Sequence, residues 1–238
     1  MLSIYNIIIK FFGFAIKIHS LYSQKSHQWI DGRKDIFFRL EKEITNNKNI
    51  VWFHCASHGE YEQVNQLISK YKNNFPQDKI LLTFFSPSGF NNVKKNNCID
   101  WIFYLPLDTQ KNAKKFIKLV MPKKVFFVKS EFWYNYINQL SLHKIPLYHV
   151  SCVFDKEKFS IFSSFSTEIL SKSKHFFVQD KNSLDVLNSI NIKNSSITGD
   201  TRFDSILENI KNKKEDKKIL DFCSNKTTII FASVWPED

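Results

Sequence analysis

Between residues 50 and 178 the chain repeats one pattern, and that pattern limits what it can become. Short apolar runs at residues 50–54, 80–85, 101–105, 125–128, 147–153 and 175–178 read as strands. Amphipathic stretches at residues 61–71, 110–120, 132–142, 159–171 and 183–189 read as the helices between them. Ser86-Pro87-Ser88-Gly89 breaks the second strand before a short polar helix. Strands that are apolar throughout need cover on both faces, and intervening helices supply it in a parallel arrangement. The expectation is an α/β chain built on a doubly wound parallel sheet.

The first 22 residues are the most apolar, interrupted by Lys10 and Lys17. On a helix Asn6, Lys10, Gly13 and Lys17 form one narrow polar seam, with Ile4, Ile7, Ile8, Phe11, Phe12, Phe14, Ala15 and Ile18 around it. A helix of this kind lies in a membrane interface, or docks on the protein's own core. The membrane reading is preferred, so residues 1–22 are expected to be an amphipathic membrane-associated helix. Residues 32–208 would form the main domain and residues 209–226, which include "NIKNKKEDKK", a linker or exposed helix. Residues 227–238 would start a further strand, the first of an incomplete second domain.

The net charge of +11 rests on lysine, with Arg33, Arg39 and Arg202 the only arginines. Scattered lysines without a clustered basic stripe argue against nucleic acid as a partner. Attraction to an anionic membrane surface fits the same charge better. The four cysteines, Cys55, Cys98, Cys152 and Cys223, make no C-x-x-C pair, which points to a reducing compartment rather than a disulfide framework or structural zinc.

In a doubly wound sheet, ligands bind beyond the carboxyl ends of the strands where the strand order reverses. If that order is 3-2-1-4-5, the crevice lies between "HCASHGE" (54–60) and "KSEFW" (129–133). Glu60 and Glu131 would then face one cleft, each near a helix start that favours the ionised carboxylate a general base requires. Equally, both could be helix-start acids without chemistry. A metal on His54, His58, Glu60 and Glu62 would need both histidines on one helix, whereas His54 ends a strand. Ser57 lacks a G-x-S-x-G elbow, and Cys55 is a weak nucleophile candidate. No glycine-rich dinucleotide or ATP loop can be assembled, so no cofactor is expected; Gly59, Gly89 and Gly199 follow strands, at turns or close ligand approaches.

Seven stretches together resemble one family. They are "WIDGRK" (29–34), "WFHCASHGEYEQ" (52–63), "ILLTFFSPSG" (80–89), "VKSEFWYNY" (128–136), "FVQDKNS" (177–183), "ITGDTRFD" (197–204) and "ASVWPED" (232–238). The family is that of the Kdo (3-deoxy-D-manno-octulosonic acid) transferases of lipopolysaccharide synthesis, and "SEFWYN" and "SVWPED" look like its Bacteroidetes branch. The resemblance implies the Rossmann-like amino-terminal half of a GT-B glycosyltransferase on the cytoplasmic face of the bacterial inner membrane. It implies inverting transfer of Kdo from CMP-Kdo to a lipid A precursor, with Glu60 of the S-x-G-E motif as base and no metal. Ser57, Gly59, Gly89, Glu131, Trp133 and, more weakly, Arg202 would contact substrate. Most of the CMP-Kdo site would lie in a second domain. His58, where the family usually has an aliphatic residue, and Asp155, where a basic one is expected, depart from the pattern. The alternatives are a catalytically silent lipid- or membrane-binding remnant, or a GT-B transferase that uses another sugar nucleotide.

Overall fold

Alternation along the first strand sets the whole architecture. In β1 (Ile50–Cys55) every residue is buried. Ile50 and Trp52 join one hydrophobic cluster, while Val51, Phe53 and Cys55 join another. A strand with two apolar faces needs helices on both sides. The computed structural model of the chain describes residues 2–44, 47–93, 96–155, 163–211, 217–224, 227–229 and 231–232.

Three helices precede β1: α1 (Leu2–His19), α2 (Gln24–Asp31) and α3 (Ile36–Ile44). After it come α4 (His58–Asn74), β2 (Lys79–Phe84), α5 (Pro87–Asn92), β3 (Trp101–Tyr104), α6 (Gln110–Val120), β4 (Lys124–Val128) and α7 (Tyr134–Leu142). The chain continues with β5 (Leu147–Cys152), α8 (Ser163–Leu170), β6 (His175–Val178), α9 (Lys181–Ser189), β7 (Ser195–Ile197), α10 (Arg202–Lys211) and α11 (Lys217–Cys223). Among the described residues the strands form one sheet of order β3-β2-β1-β4-β5-β6-β7, with every pair parallel. This is the expected doubly wound sheet, and its order reverses between β1 and β4.

One face of the sheet packs Trp52, Leu81, Val125, Phe127 and Leu147 against α3, α6, α7 and α8. The other packs Val51, Phe53, Ile80 and Leu82 against Tyr61, Val64, Ile68 and Tyr71 of α4. Trp52 is the centre of the first core, with ring centroids of Phe116, Phe127 and Tyr136 at 4.9, 5.2 and 5.7 Å. Each such buried aromatic stabilises the fold by roughly 1.5–3 kcal/mol relative to exposure.

Several differences from the sequence reading have local causes. The helices α2 and α3 and the strand β7, of 8, 9 and 3 residues, are not expected from the sequence. Helix α4 starts three residues earlier than expected, because Ser57 takes the N-cap position with an extended backbone (φ −142°, ψ 172°). Within 209–226, α10 runs on to Lys211 and Lys217–Cys223 is helical. Residues 227–229 and 231–232 are not in a strand. Residues 159–162 of the expected helix, and "SVWPED" (233–238), lie outside the described residues.

The chain divides into two compact units, Met1–Ser205 and Ile206–Asp238. The amino-terminal helix belongs to the first. Its contact face is the side of Tyr5, Asn6, Ile9 and Gly13, so part of the polar seam is turned inward. Tyr5 Oη donates to Asp108 Oδ2 at 2.5 Å, and Asn6 Oδ1 accepts from Asn135 at 3.0 Å. Phe12 stacks on Phe85 with centroids 6.0 Å apart. Lys10 and Lys17 stay exposed, as do Ile4, Ile7, Ile8, Phe11, Phe14 and Ile18. By length and composition this helix is apolar enough to cross a membrane.

Candidate active site

The crevice at the strand-order reversal is built from the ends of β1 and β4. Glu60 occupies the third position of α4, directly above the end of β1. Only 8% of it is exposed, and its carboxylate turns back to accept from the backbone N–H of Ala56 and that of Ser57. Ser57-His58-Gly59-Glu60 therefore has the form of a capping box, in which an acid three residues into the helix satisfies amides at its start. The box is half made, because the Ser57 hydroxyl makes no capping bond.

A carboxylate at a helix start with two amide donors would ordinarily ionise easily. Glu60 does the opposite: its pKa rises from 4.5 to about 7. Burial is the largest cause and the negative charge of Glu131 the second, while the amides and the Lys129 ammonium offset part of the rise. A carboxyl group poised near neutrality can take a proton at working pH and release it again.

Glu131 follows β4 and faces the same crevice, with Oε2 3.8 Å from His54 Nε2. Trp133 closes the group: its indole N–H donates to His54 Nε2 at 3.1 Å, and its ring lies 4.8 Å from that of Phe85. Since His54 accepts at Nε2, its ring proton sits on Nδ1, within 2.9 Å of Thr83 Oγ1. Thr83 Oγ1 also accepts from the Trp52 indole at 2.7 Å. The chain Trp52–Thr83–His54–Trp133 thus ties the centre of the core to the mouth of the crevice.

Other candidates separate from this group. His58 pairs with Glu62 on the outer side of α4, its Nε2 3.7 Å from Oε1, so the two histidines serve different partners. Burial, then Glu60 and Glu131, pushes the Cys55 thiol well above its usual range, which suits a packed thiol rather than a nucleophile. Gly89 is buried, and a Cβ there would lie 2.1 Å from the Phe84 ring; its smallness serves helix α5 against β2. Gly59 is different. It has no positive φ, and a Cβ on it would meet nothing within 4 Å. The position is exposed, and a side chain there would point into open space. Arg202 is exposed and folded onto its neighbour, with Nε 2.7 Å from Asp200 Oδ2.

The sequence reading missed three contributors. His54, weighed there as a metal ligand, positions Trp133 instead. Arg33, inside "WIDGRK", donates to the carbonyls of Trp29, Phe85 and Leu105 at 2.9, 2.7 and 2.8 Å. Its guanidinium stacks 3.6 Å from the Trp29 ring, and burial lowers its pKa to about 9. It pins α2 to the segments that follow β2 and β3. Asp108, 1% exposed, accepts from Tyr5 and from the amides of Asn135 and Tyr136, both at 3.1 Å. It caps α7, whose N-cap residue, Trp133, has no oxygen to offer.

Comparison with known proteins places the fold and the family. A solved structure of a UDP-N-acetylglucosamine 2-epimerase shares the fold over 75% of this chain and 53% of its own, with a TM-score of 0.53 at 13% identity. A 3-deoxy-D-manno-octulosonic acid transferase of Rickettsia felis is 26% identical over 204 residues, 84% of this chain and 44% of the relative. One from Aquifex aeolicus is 33% identical over 109 residues, 45% of this chain and 30% of its own. A bifunctional glycosyltransferase/methyltransferase of Fusobacterium nucleatum is 25% identical over 84% of this chain and 33% of its own. The chain thus spans less than half the length of these relatives. The family model described as 3-deoxy-D-manno-octulosonic-acid transferase (kdotransferase) matches residues 32–205, which hold β1 to β7 and the whole crevice. The chain belongs to that family.

Proposed function

We propose that this chain carries the acceptor-binding, base-bearing part of an inverting transferase that moves Kdo from CMP-Kdo to a lipid A precursor. Glu60 is its general base. The observation that carries the reading is the placement of Glu60: buried at the strand-order reversal, with the Glu131 charge acting on it and its pKa raised to about 7. As the acceptor hydroxyl attacks the anomeric carbon of Kdo, its proton passes to the Glu60 carboxylate and CMP leaves with the bonding electrons. A base so placed contributes about 10²- to 10⁴-fold in rate. The leaving group is a nucleotide phosphate, so these residues need no metal for the step. Glu131 and Trp133 line the acceptor side, Ser57 at the start of α4 is a further candidate contact, and Arg202 is the weaker candidate for an acceptor contact. The donor contacts belong to a second domain.

A second reading is favoured by the exposed apolar side of α1. Ile7, Phe11 and Phe14, flanked by Lys10 and Lys17, suit the interface of an anionic membrane. On this reading the cytoplasmic face of the inner membrane is where the chain meets its lipid acceptor. Flotation with anionic vesicles tests it: removal of residues 1–22 should abolish binding, and unchanged binding would overturn it.

Transfer of radiolabelled Kdo to a lipid A precursor tests the main reading, with the chain assayed alone and with the carboxyl-terminal half of a full-length relative. Glu60→Ala should lose at least about 100-fold. Wild-type transfer by that variant would remove Glu60 as base. Membrane binding without transfer in any combination would favour the silent remnant, and transfer from a different sugar nucleotide would change the donor.

A further inference from the structure

Alternation along β4, β5 and β6 turns Phe126, Val150 and Phe177 to the face of the sheet that α4 covers. These three side chains come from neighbouring strands and floor a cavity of about 310 Å³. One wall is a stripe of α4, where Gln63, Gln66, Leu67 and Lys70 fall at i, i+3, i+4 and i+7. The opposite wall is the segment after β7, with Thr198, Thr201 and Asp204. Ser205 Oγ donates to the Glu62 carbonyl at 2.7 Å, which fastens that segment to α4. All of these residues belong to the first compact unit.

Two polar groups of this cavity's walls are unpaired. Gln63 is only 3% exposed, and its Oε1 accepts no hydrogen bond among the described residues. The half-buried Thr201 likewise makes none through Oγ1. Buried polar groups are costly without a partner, and an orphan in a native fold calls for one from outside the chain. A single water is too small to be that partner and fill the site: the cavity is about ten times the volume of one water. Lys70 and Asp204 are exposed and opposite in sign, so the rim favours neither an anion nor a cation.

We propose that this cavity binds a small neutral molecule with an apolar body and a hydroxyl group. The body rests on Phe126, Val150 and Phe177 against Leu67. The hydroxyl donates to Gln63 Oε1 and accepts from the Thr201 hydroxyl. An apolar pocket with a few placed polar groups is the usual form of such a site, and this one lies at the small end of the range of about 300–1,000 Å³. One ring or a short chain is therefore its limit. Gln63 stands about one turn along α4 from Glu60, but the site uses none of the crevice residues, and it does not depend on Glu60 as base.

NMR of the ¹⁵N-labelled 238-residue chain tests this with p-cresol, and with toluene as the same body without the hydroxyl. p-Cresol should shift the Thr201 amide and the Gln63 side-chain NH₂ saturably. Toluene should bind about tenfold more weakly, as loss of a buried hydrogen bond requires. Gln63→Leu keeps the bulk and removes the amide, so it should bind the two compounds equally. Thr201→Val, at a half-buried position, should weaken p-cresol and leave toluene unchanged. Gln63→Leu should also unfold at a higher urea concentration than the wild type, because an unpaired buried group is gone. A lower urea midpoint would show that the amide has a partner within the protein, and would overturn the proposal. Equal binding of both compounds by the wild type would overturn it too. So would p-cresol that shifts neither residue, the outcome if water alone fills the cavity, or shifts confined to the exposed apolar side of α1.

Discussion

Two buried carboxylates stand at the C-terminal edge of the same sheet, and their surroundings differ in kind. Asp108, after β3, is enclosed by donors: the Tyr5 hydroxyl and two amides at the start of α7. Glu60, after β1, has amides from its own helix start as donors, and the negative charge of Glu131 acts against it. Burial raises both, Asp108 to about 6 and Glu60 to about 7. Burial alone therefore does not mark a catalytic acid. What separates them is the company each keeps: Asp108 is committed to a helix cap and to α1, while Glu60 stands against the like charge of Glu131.

Exchange of each carboxylate for a neutral group should break the comparison in opposite ways. Glu60→Gln keeps the size and the acceptor oxygen, so the fold should persist while transfer falls by about 10²- to 10⁴-fold, read as kcat at saturating acceptor. Asp108→Ala should do the reverse. It orphans a buried hydroxyl and two helix amides, for a loss on the order of 3 kcal/mol in urea unfolding. Transfer per folded molecule should remain.

The pH dependence of stability sharpens the contrast. A carboxyl whose folded pKa lies above its unfolded value binds more protons when folded, so its ionisation favours unfolding. For Glu60 the full stability is present below pH 4.5 and is lost as pH rises through about 7. Between pH 5 and 8 the wild type should lose on the order of 2 kcal/mol through this group. Glu60→Gln should remove that part of the slope and leave the part due to Asp108. An equal slope in both proteins would contradict the assignment.

Much of this was legible in the residues, for physical reasons. The apolar runs announced β1 to β6, because strands buried on both faces leave no polar register to confuse the pattern. Helix α7 and the end of β4 were less clear, since "KSEFWYN" mixes a left-handed lysine, a carboxylate and aromatics over a few positions. Glu60 was visible through Ser57 and Gly59, yet the same letters spell a capping box, and only burial and the neighbouring Glu131 distinguish the two. Asp108 was invisible. Its partners Tyr5 and Asn135 lie 103 and 27 residues away, and no local pattern encodes such a contact. His54 was legible as a reactive side chain but not in its role, which depends on Trp133, 79 residues further on. The inward turn of Asn6 and Gly13 was hidden for the same reason: a helix seen alone does not show which of its sides has a partner.

Smaller effects follow at the edges of the crevice. Trp133→Phe keeps the ring against Phe85 but removes the hydrogen bond to His54, for about 1 kcal/mol of stability. If Trp133 lines the acceptor side, KM for acceptor should rise more than kcat falls. Gly59→Ala is the finest probe. A Cβ meets no protein atom there, and alanine is the better helix former, so stability should rise by about 0.5–1 kcal/mol. Transfer should nevertheless drop if the acceptor occupies that space. Unchanged transfer would leave the opening over Gly59 without a ligand.

The most direct test of the central claim is the pH profile of transfer for wild type and Glu60→Gln. The account predicts an acid limb in kcat/KM with a midpoint near 7 in the wild type, and a rate that is low and flat across that limb in the variant. A Glu60→Gln protein that transfers at the wild-type rate with the same limb would contradict it.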